Sequence, residues 1–359
     1  MIAPTPPPNT HGAADRYRWM DLARGLAIVL VMVVHAGSLY RESGFDLPEW
    51  VRTTGRAMAP FRMPLLIFLS GFLLERSMSK GLTRFIYGKV RNILWPYVVW
   101  VIIFSLAVGE PEKLLGTAWL GATYLWYMLF LGIYFAVAIF VARVPYLVVA
   151  FYALAIAYLM PDGSKYGERL FVLMGFFYMG AFAGQHLEKF TGLLASRWAL
   201  ALVPLAAGVS LASAGLGALN YSPAFVALIL PSIVAICALL CHLQDSAFLR
   251  PLQFVGRKSI VYYVMHVPIY LLTIDALAHF GIASPYVAIT ACLVLGFGVA
   301  TAFAHAMDRN TVVAALFAAP DIVDFNKQPT ARRVRGFLDD LGLLPSGARG
   351  ADLGEGRDK

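Results

Sequence analysis

Charged residues are scarce in this chain of 359 residues, and their scarcity excludes most classes of soluble protein. Asp, Glu, Lys and Arg make up 14% of the sequence, whereas hydrophobic residues make up 59%. A soluble domain usually carries about 25% charged residues. Several apolar runs reach the length of about 20 residues that crosses roughly 30 Å of hydrocarbon. The composition therefore predicts an all-α, polytopic integral membrane protein.

The motifs of several common site types are also lacking. The three cysteines, Cys237, Cys241 and Cys292, fall inside apolar runs without CxxC spacing, so we interpret them as small packing residues and predict no metal site. No Walker or GxGxxG pattern indicates a phosphate-binding loop, and no nucleophile elbow surrounds a serine. The net charge of +8 comes from short loops, which favours anionic membrane lipids or a phosphorylated ligand as partner and argues against nucleic acid.

Composition divides the chain into three parts. Residues 1–15 are rich in proline and lack the basic start and short apolar core of a cleaved signal, so we expect a disordered cytoplasmic tail. Residues 16–308 hold the apolar runs and are predicted to form one transmembrane domain. Residues 309–359 are polar and basic, and we expect a cytoplasmic tail with a surface helix at 331–344.

Breaks in hydropathy predict about ten transmembrane helices. We place them at 19–40, 57–75, 92–108, 121–141, 145–160, 170–186, 198–217, 223–242, 259–279 and 285–306. With a cytoplasmic N-terminus, the inside loops of this arrangement carry more Lys and Arg residues than the outside loops. The positive-inside rule then predicts that both termini are cytoplasmic.

Arg24 and His35 interrupt the apolar run of the first predicted span. Positions eleven apart are separated by about 16 Å along a helix and by about 20° around its axis, so both side chains can line one cavity. Taken singly, Arg24 could reach toward cytoplasmic headgroups and His35 could hydrogen-bond to another helix. Together they predict a reaction site, because polar groups in a membrane are costly and histidine can take a proton from an alcohol.

The second predicted span adds Arg62, which is flanked by apolar sequence, and the small pair Ser70 and Gly71. The small pair is typical of a notch for close helix packing, and it could also accommodate a ligand. In the ninth span, His266 lies two residues before Pro268 in apolar sequence. A packing role or a position facing a cavity would both explain this histidine.

Five cations lie between Arg76 and Arg91, and they include Arg84 and Lys89. Such a run usually marks a cytoplasmic segment. It also suits the phosphates of a nucleotide-like donor, since Arg and Lys bind phosphate by charge-assisted hydrogen bonds.

Four segments in this order resemble the membrane-bound acyltransferase family 3. They are the Arg24 to His35 pair, MPLLIFLSGFLL in the second span, YLWYMLFLGIYF around Trp126, and VGRKSIVYYVMH ending at His266. The resemblance covers residues 18–307, and the second segment is similar to the fucose-4-O-acetylase-like and exopolysaccharide-modifying branches. One departure concerns the Arg-x-x-Arg element after the second helix, where this chain has Lys89-Val90-Arg91 and then Leu94.

The resemblance implies an acyl-CoA donor, acetyl-CoA in the simplest case, supplied from the cytoplasm, and O-acylation of a carbohydrate or other cell-envelope hydroxyl. It implies a location in the cytoplasmic (inner) membrane of a bacterium and makes His35 the catalytic acid and base. We expect the remaining site residues to bind substrate: Arg24, Arg62, Ser70, Arg84, Lys89, Arg91, Trp126 and His266. Two alternatives stay open, a secondary transporter with an intramembrane Arg and His relay and a catalytically silent scaffold.

Overall fold

The computed structural model describes residues 17–109, 114, 116–120, 123–161, 164–217, 219 and 221–321, and every regular element within these ranges is a helix. The α-helices are α1 Arg18–Glu42, α2 Glu49–Phe72, α3 Leu74–Met78, α4 Leu82–Lys89, α5 Trp95–Ala107, α6 Trp126–Phe140, α7 Tyr146–Leu159, α8 Lys165–Gln185, α9 Leu187–Ala195, α10 Arg197–Leu200, α11 Val203–Leu216, α12 Val226–Leu243, α13 Arg250–Arg257, α14 Ser259–His279, α15 Pro285–Ala306 and α16 Thr311–Ala315. A π-helical turn, Val90–Leu94, joins α4 to α5, and short 3-10 turns lie at Thr117–Leu120, Pro223–Phe225 and Ala247–Leu249.

Each of the ten predicted spans coincides with a helix. Six helices in the described part of the chain are long and apolar enough to cross a membrane. They become seven if α8 and α9, which meet at an angle of 95°, form one broken span. The helices α6 and α7 are apolar but contain only 15 and 14 residues. The all-helical membrane architecture is therefore confirmed.

The third predicted span differs most from its helix. Hydropathy places it at 92–108, but a continuous helical segment runs from Leu82 to Ala107 through the π-helical turn. The difference arises because hydropathy ends a span at charged residues, and Lys89 lies inside this helical segment. The predicted tail 1–15 and the surface helix 331–344 fall outside the described residues.

Helix α1 lies at the centre of the bundle. It packs against α2, α12, α13, α14 and α15. Glycines allow two of the closest approaches between helices: a Cβ on Gly256 would lie 1.8 Å from the carbonyl oxygen of Asp21, and a Cβ on Gly71 would lie 1.9 Å from that of Phe177. The interpretation of Ser70 and Gly71 as a packing notch is thus confirmed for Gly71. These contacts fix the rotation of α1 and α2 against their neighbours.

Two prolines inside helices free carbonyls that other helices satisfy. Proline lacks an N–H, so the carbonyl four residues earlier loses its helical donor. The carbonyl four residues before Pro60 is that of Arg56, and it accepts a hydrogen bond of 2.7 Å from Ser213 Oγ. The carbonyl four residues before Pro268 is that of Val264, and it accepts a hydrogen bond from the hydroxyl of Tyr124. The second bond ties the start of α6 to α14 directly beside His266.

Candidate active site

The two intramembrane histidines of the prediction meet in the interior of the bundle. His35 Nδ1 lies 2.8 Å from His266 Nε2, although the residues are 231 positions apart in sequence. Their ring centroids are 5.0 Å apart, with the planes inclined by 16°. His266 is fully buried, whereas His35 is only partly buried. Helices α1 and α14 thus present one histidine pair, in which His35 is the member closer to open space.

The hydrogen bonds of this pair fix where its protons lie. His266 Nδ1 is 3.1 Å from the carbonyl oxygen of Tyr262. A carbonyl only accepts hydrogen bonds, so a neutral His266 carries its proton on Nδ1 and its Nε2 must accept. The donor to that atom is then Nδ1–H of His35. This arrangement leaves His35 Nε2 unprotonated, and the described residues supply it with no hydrogen bond.

Aromatic rings enclose His266 on the remaining sides. The ring centroids of Tyr124, Tyr263 and Tyr270 lie 5.8, 6.0 and 5.7 Å from that of His266. The hydroxyl of Tyr263 donates a hydrogen bond of 2.7 Å to the carbonyl of Tyr124, which holds two of these rings together. Sequence reasoning missed these tyrosines, because a tyrosine in an apolar run carries no signal of which helix it will contact.

Ser70 and Tyr127 lie on the side of this centre that faces Arg24. Ser70 Oγ donates to the carbonyl of Leu66 at 2.8 Å and lies 3.3 Å from the Tyr127 hydroxyl. Because the serine proton is engaged, Tyr127 is the donor of the second bond. Tyr127 packs edge-on against Tyr263 at 5.2 Å and lies within electrostatic range of Arg24. Ser70 is therefore a partner of Tyr127, and Tyr127 connects the surroundings of Arg24 with those of His266.

A cavity of about 350 Å³ opens between the segment from α4 to α5 and helix α6. We call it the Lys89 groove; apolar side chains form most of its lining, and Lys89 is its charged member. The Lys89 ammonium lies 3.6 Å from the ring centroid of Phe135, a cation–π contact, and within electrostatic range of Arg24. The π-helical turn Val90–Leu94 forms part of its wall, and such turns are frequent at functional sites. His35 does not line this groove.

The two other cations of the basic segment that we predicted to bind substrate, Arg84 and Arg91, do not line this groove. Arg84 is exposed on α4. Arg91 Nη1 forms an ion pair of 2.9 Å with Asp321, and its Nε donates a hydrogen bond of 2.7 Å to the carbonyl of Ala319. Arg91 therefore holds the segment that follows α16 against the π-helical turn.

Arg62 and Trp126 belong to a second cationic group, in which Arg62 lies within electrostatic range of His35. Arg62 interacts with the hydroxyl of Tyr221 and with Arg169. The Arg169 guanidinium carbon lies 4.9 Å from the Trp126 ring centroid and 4.7 Å from that of Tyr221. We call these four residues the arginine cluster. Sequence reasoning missed Arg169 and Tyr221, since both precede apolar runs and were assigned to loops.

The pair formed by His35 and His266 can perform proton transfer at His35 Nε2, because His266 holds the His35 ring in one orientation. A second function, metal binding, has no candidate ligand set: no group of three or more His, Cys, Asp or Glu residues is close enough within the described ranges.

Comparison with known proteins supplies the family. A family model described as an acyltransferase domain matches residues 17–305, which include α1 to α15 and both histidines. Searches of curated proteins and of solved structures found no match. The domain supports a transferase, and the apolar helices support an integral membrane protein. The chain belongs to the membrane acyltransferase family 3.

Proposed function

We propose that this protein is a membrane O-acyltransferase that moves an acyl group, acetyl in the simplest case, from cytoplasmic acyl-CoA to a hydroxyl of a carbohydrate or other cell-envelope acceptor. The observation that carries the proposal is the His35 to His266 pair, which leaves His35 Nε2 free to accept a proton. The match over residues 17–305 supports acyl transfer as the reaction class. The carbohydrate-modifying branch of the family is part of this proposal.

The proposal includes a membrane arrangement. The ten helical segments that coincide with the predicted spans would all cross the cytoplasmic membrane of a bacterium, with both termini inside. Arg24 then lies toward the cytoplasm, and His35 lies about 16 Å further along α1. This direction brings acyl-CoA to the Arg24 side of the bundle, where Lys89 and Arg84 supply further positive charge.

His35 acts as base and then as acid. Its Nε2 takes the proton of the acceptor hydroxyl as the oxygen attacks the thioester carbonyl carbon. The tetrahedral intermediate collapses, the carbon–sulfur bond breaks, and the protonated His35 returns its proton to the departing CoA sulfur. The products are an ester and free CoA, and the histidine ends in its starting state. Such proton transfer typically contributes about 10² to 10⁴ in rate.

His266 has a positioning role in this scheme. Both of its ring nitrogens are bonded within the protein, so it holds the His35 ring in one orientation and one tautomer. When His35 becomes protonated, its Nδ1–H strengthens the bond to His266. This neutral imidazole performs part of the orienting role that a carboxylate has in many triads.

The Lys89 groove and Tyr127 are proposed to form the donor path. An apolar cavity with one ammonium group suits the pantetheine and acyl portions of a donor, whose phosphates remain near the cytoplasmic charges. The thioester would then pass Tyr127 and Ser70 to reach His35. The Ser70 and Tyr127 hydroxyls are hydrogen-bonded to each other at 3.3 Å, which supports this route because they would offer polar contacts to the thioester.

The test is acetyl transfer by purified protein in lipid nanodiscs, using radiolabelled acetyl-CoA and a total envelope glycan and lipid fraction. His35→Gln should lower the rate by about 10² to 10⁴, because the base is removed while a polar side chain remains. His279→Ala is the matched control, since His279 is an exposed histidine near the end of α14. A His35→Gln variant that folds normally and transfers acetyl at the wild-type rate would disprove the proposed role. Solute flux in liposomes without CoA release would show transport instead.

A further inference from the structure

The arginine cluster holds two cations that the protein does not neutralise within its described residues. Arg62 Nη1 and Arg169 Nε are buried and have no hydrogen-bond partner. None of the ion pairs formed by described residues includes either side chain. The two guanidinium groups also repel each other, being within electrostatic range. Cation–π contacts with Trp126 and Tyr221 offset only part of the cost of burying these charges.

Backbone strain is found at the same place. Tyr221 has φ of 62°, the left-handed region, and it is the only non-glycine residue with positive φ among those described. Such a conformation is unfavourable for a residue with a bulky side chain and persists where the surroundings require it. Here it brings the tyrosine ring against Arg169 and its hydroxyl against Arg62. The strained residue therefore contacts both arginines, and Arg62 lies within electrostatic range of His35.

We propose that the arginine cluster binds an anionic group, a carboxylate or a phosphate, carried by the acceptor. This inference rests on the proposed function and specifies its acceptor as an acidic hydroxyl compound, such as an acidic or phosphorylated sugar. Two guanidinium groups with unused N–H donors match the several acceptor oxygens of either anion. The aromatic rings of Trp126 and Tyr221 give the apolar contact that sugar rings commonly make with proteins.

The position of the cluster favours the acceptor over the donor. In acyl-CoA the phosphates lie at the opposite end of the pantetheine arm from the thioester. Phosphates bound beside His35 would hold the thioester far from that residue, so the cluster cannot serve the donor in a productive complex. In the proposed topology, Trp126 and Arg169 lie near the outer ends of α6 and α8, and Tyr221 lies in the loop before α12, all on the envelope side.

The experiment measures binding to the full chain in nanodiscs by calorimetry, with three probes. Tetragalacturonate carries carboxylates, glucose 1-phosphate carries a phosphate, and maltotetraose is neutral. At least one anionic probe should bind, and its affinity should fall about 10- to 100-fold in Arg62→Gln and Arg169→Gln, as expected for losing a charge-assisted hydrogen bond. Arg52→Gln, on the same helix but paired with Glu49 at its exposed start, is the matched control and should bind like wild type.

Two further variants protect the test against misfolding. Arg62→Lys keeps the charge and should restore part of the affinity, and Tyr221→Phe keeps the ring while removing the hydroxyl that Arg62 contacts. Binding of only one anionic probe assigns the anion as carboxylate or phosphate. Absence of binding by both, equal binding of maltotetraose, or equal losses in Arg52→Gln would overturn the proposal. CoA release from acetyl-CoA, measured on the same preparations, tests the proposed function separately.

Asp162 lies outside the described residues and precedes Arg169 by seven positions. If Asp162→Asn gained anion binding that the wild-type chain lacks, the chain would be neutralising its own arginines, and the proposal would be wrong. If the wild-type chain binds the anion and Asp162→Asn binds it equally, the cluster is reserved for the ligand.

Discussion

The Lys89 groove and the arginine cluster both carry positive charge, but they accommodate it in different ways. In and beside the groove, the Lys89 ammonium rests against Phe135, and Arg91 is paired with Asp321. In the cluster, Arg62 contacts the Tyr221 hydroxyl and Arg169 stacks on aromatic rings, but one buried nitrogen of each, Arg62 Nη1 and Arg169 Nε, has no hydrogen-bond partner among the described residues. A membrane-embedded cation that the protein leaves unpartnered costs stability. From this comparison we infer three uses of positive charge: Arg91 stabilises the fold, Lys89 contacts the donor, and the arginine cluster binds a ligand of its own.

The histidine pair gives the largest expected effect after loss of His35 itself. His266→Met should lower kcat about 10- to 100-fold without changing the KM for acetyl-CoA, since it removes the acceptor that orients the His35 ring. His266→Gln should recover part of this loss, because its amide oxygen can accept from His35 Nδ1. Initial-rate kinetics of acetyl transfer would measure both values. Equal losses in the Met and Gln variants would indicate a packing role only.

A substitution in the Lys89 groove should have a smaller effect, and it should affect the donor and not the acceptor. Lys89→Met should raise the KM for acetyl-CoA about tenfold, the cost of one charge-assisted contact, and leave kcat within about twofold. It should leave the binding of anionic sugar probes unchanged, which is the reverse of the result for Arg62→Gln. Lys189→Met, an exposed lysine on α9, is the control.

The proposed difference between the Lys89 groove and the arginine cluster would be wrong if substitutions in the two regions had the same effects. If Lys89→Met and Arg62→Gln both weakened acetyl-CoA and both weakened the sugar anion, the two regions would form one binding site. The assignment of donor and acceptor to separate regions would then have to be abandoned.

The sequence predicted the helices well where a single apolar run has sharp ends. The first span was predicted at 19–40 and α1 is Arg18–Glu42, because hydropathy changes abruptly at both ends. The third span was predicted to start at 92, after Arg91, whereas the helical segment starts at Leu82 and includes both Lys89, whose ammonium lies against Phe135, and Arg91. A hydropathy scale assigns a fixed value to each charged residue and takes no account of the side chains that pack against it in the fold.

The candidate site was harder to predict, because its pairs join helices far apart in sequence. Arg24, His35 and His266 could each be selected as polar groups in apolar runs. Their mutual positions could not, since the rotation of α1 depends on close contacts such as that of Gly256 with Asp21. Tyr221 lies in a loop, and its strained backbone has no signature in the local sequence. Sequence reasoning could identify residues whose type is unusual in an apolar run. It could not identify residues whose importance comes from where the fold places them.

The smallest predicted effect concerns Arg91, which the basic-segment pattern assigned to donor phosphates. Its ion pair with Asp321 and its bond to Ala319 lead us to expect a role in the fold. Asp321→Asn should then lower the free energy of unfolding by less than about 1 kcal/mol, as for a partly exposed pair. Arg91→Gln should lower it further, because it also removes the hydrogen bond to Ala319. Neither should change the KM for acetyl-CoA by more than about twofold, because the guanidinium is already engaged.

Thermal unfolding of the single and double variants in nanodiscs, together with donor kinetics, would measure both properties. The double variant should be about as stable as Arg91→Gln, since that substitution has already removed the ion pair with Asp321. A rise in the KM for acetyl-CoA in Arg91→Gln but not in Asp321→Asn would mean that donor phosphates displace Asp321 from the arginine. In that case the ion pair between Arg91 and Asp321 would open when the donor binds. An ion pair in the unliganded protein would then no longer distinguish a cation that stabilises the fold from one that binds a substrate.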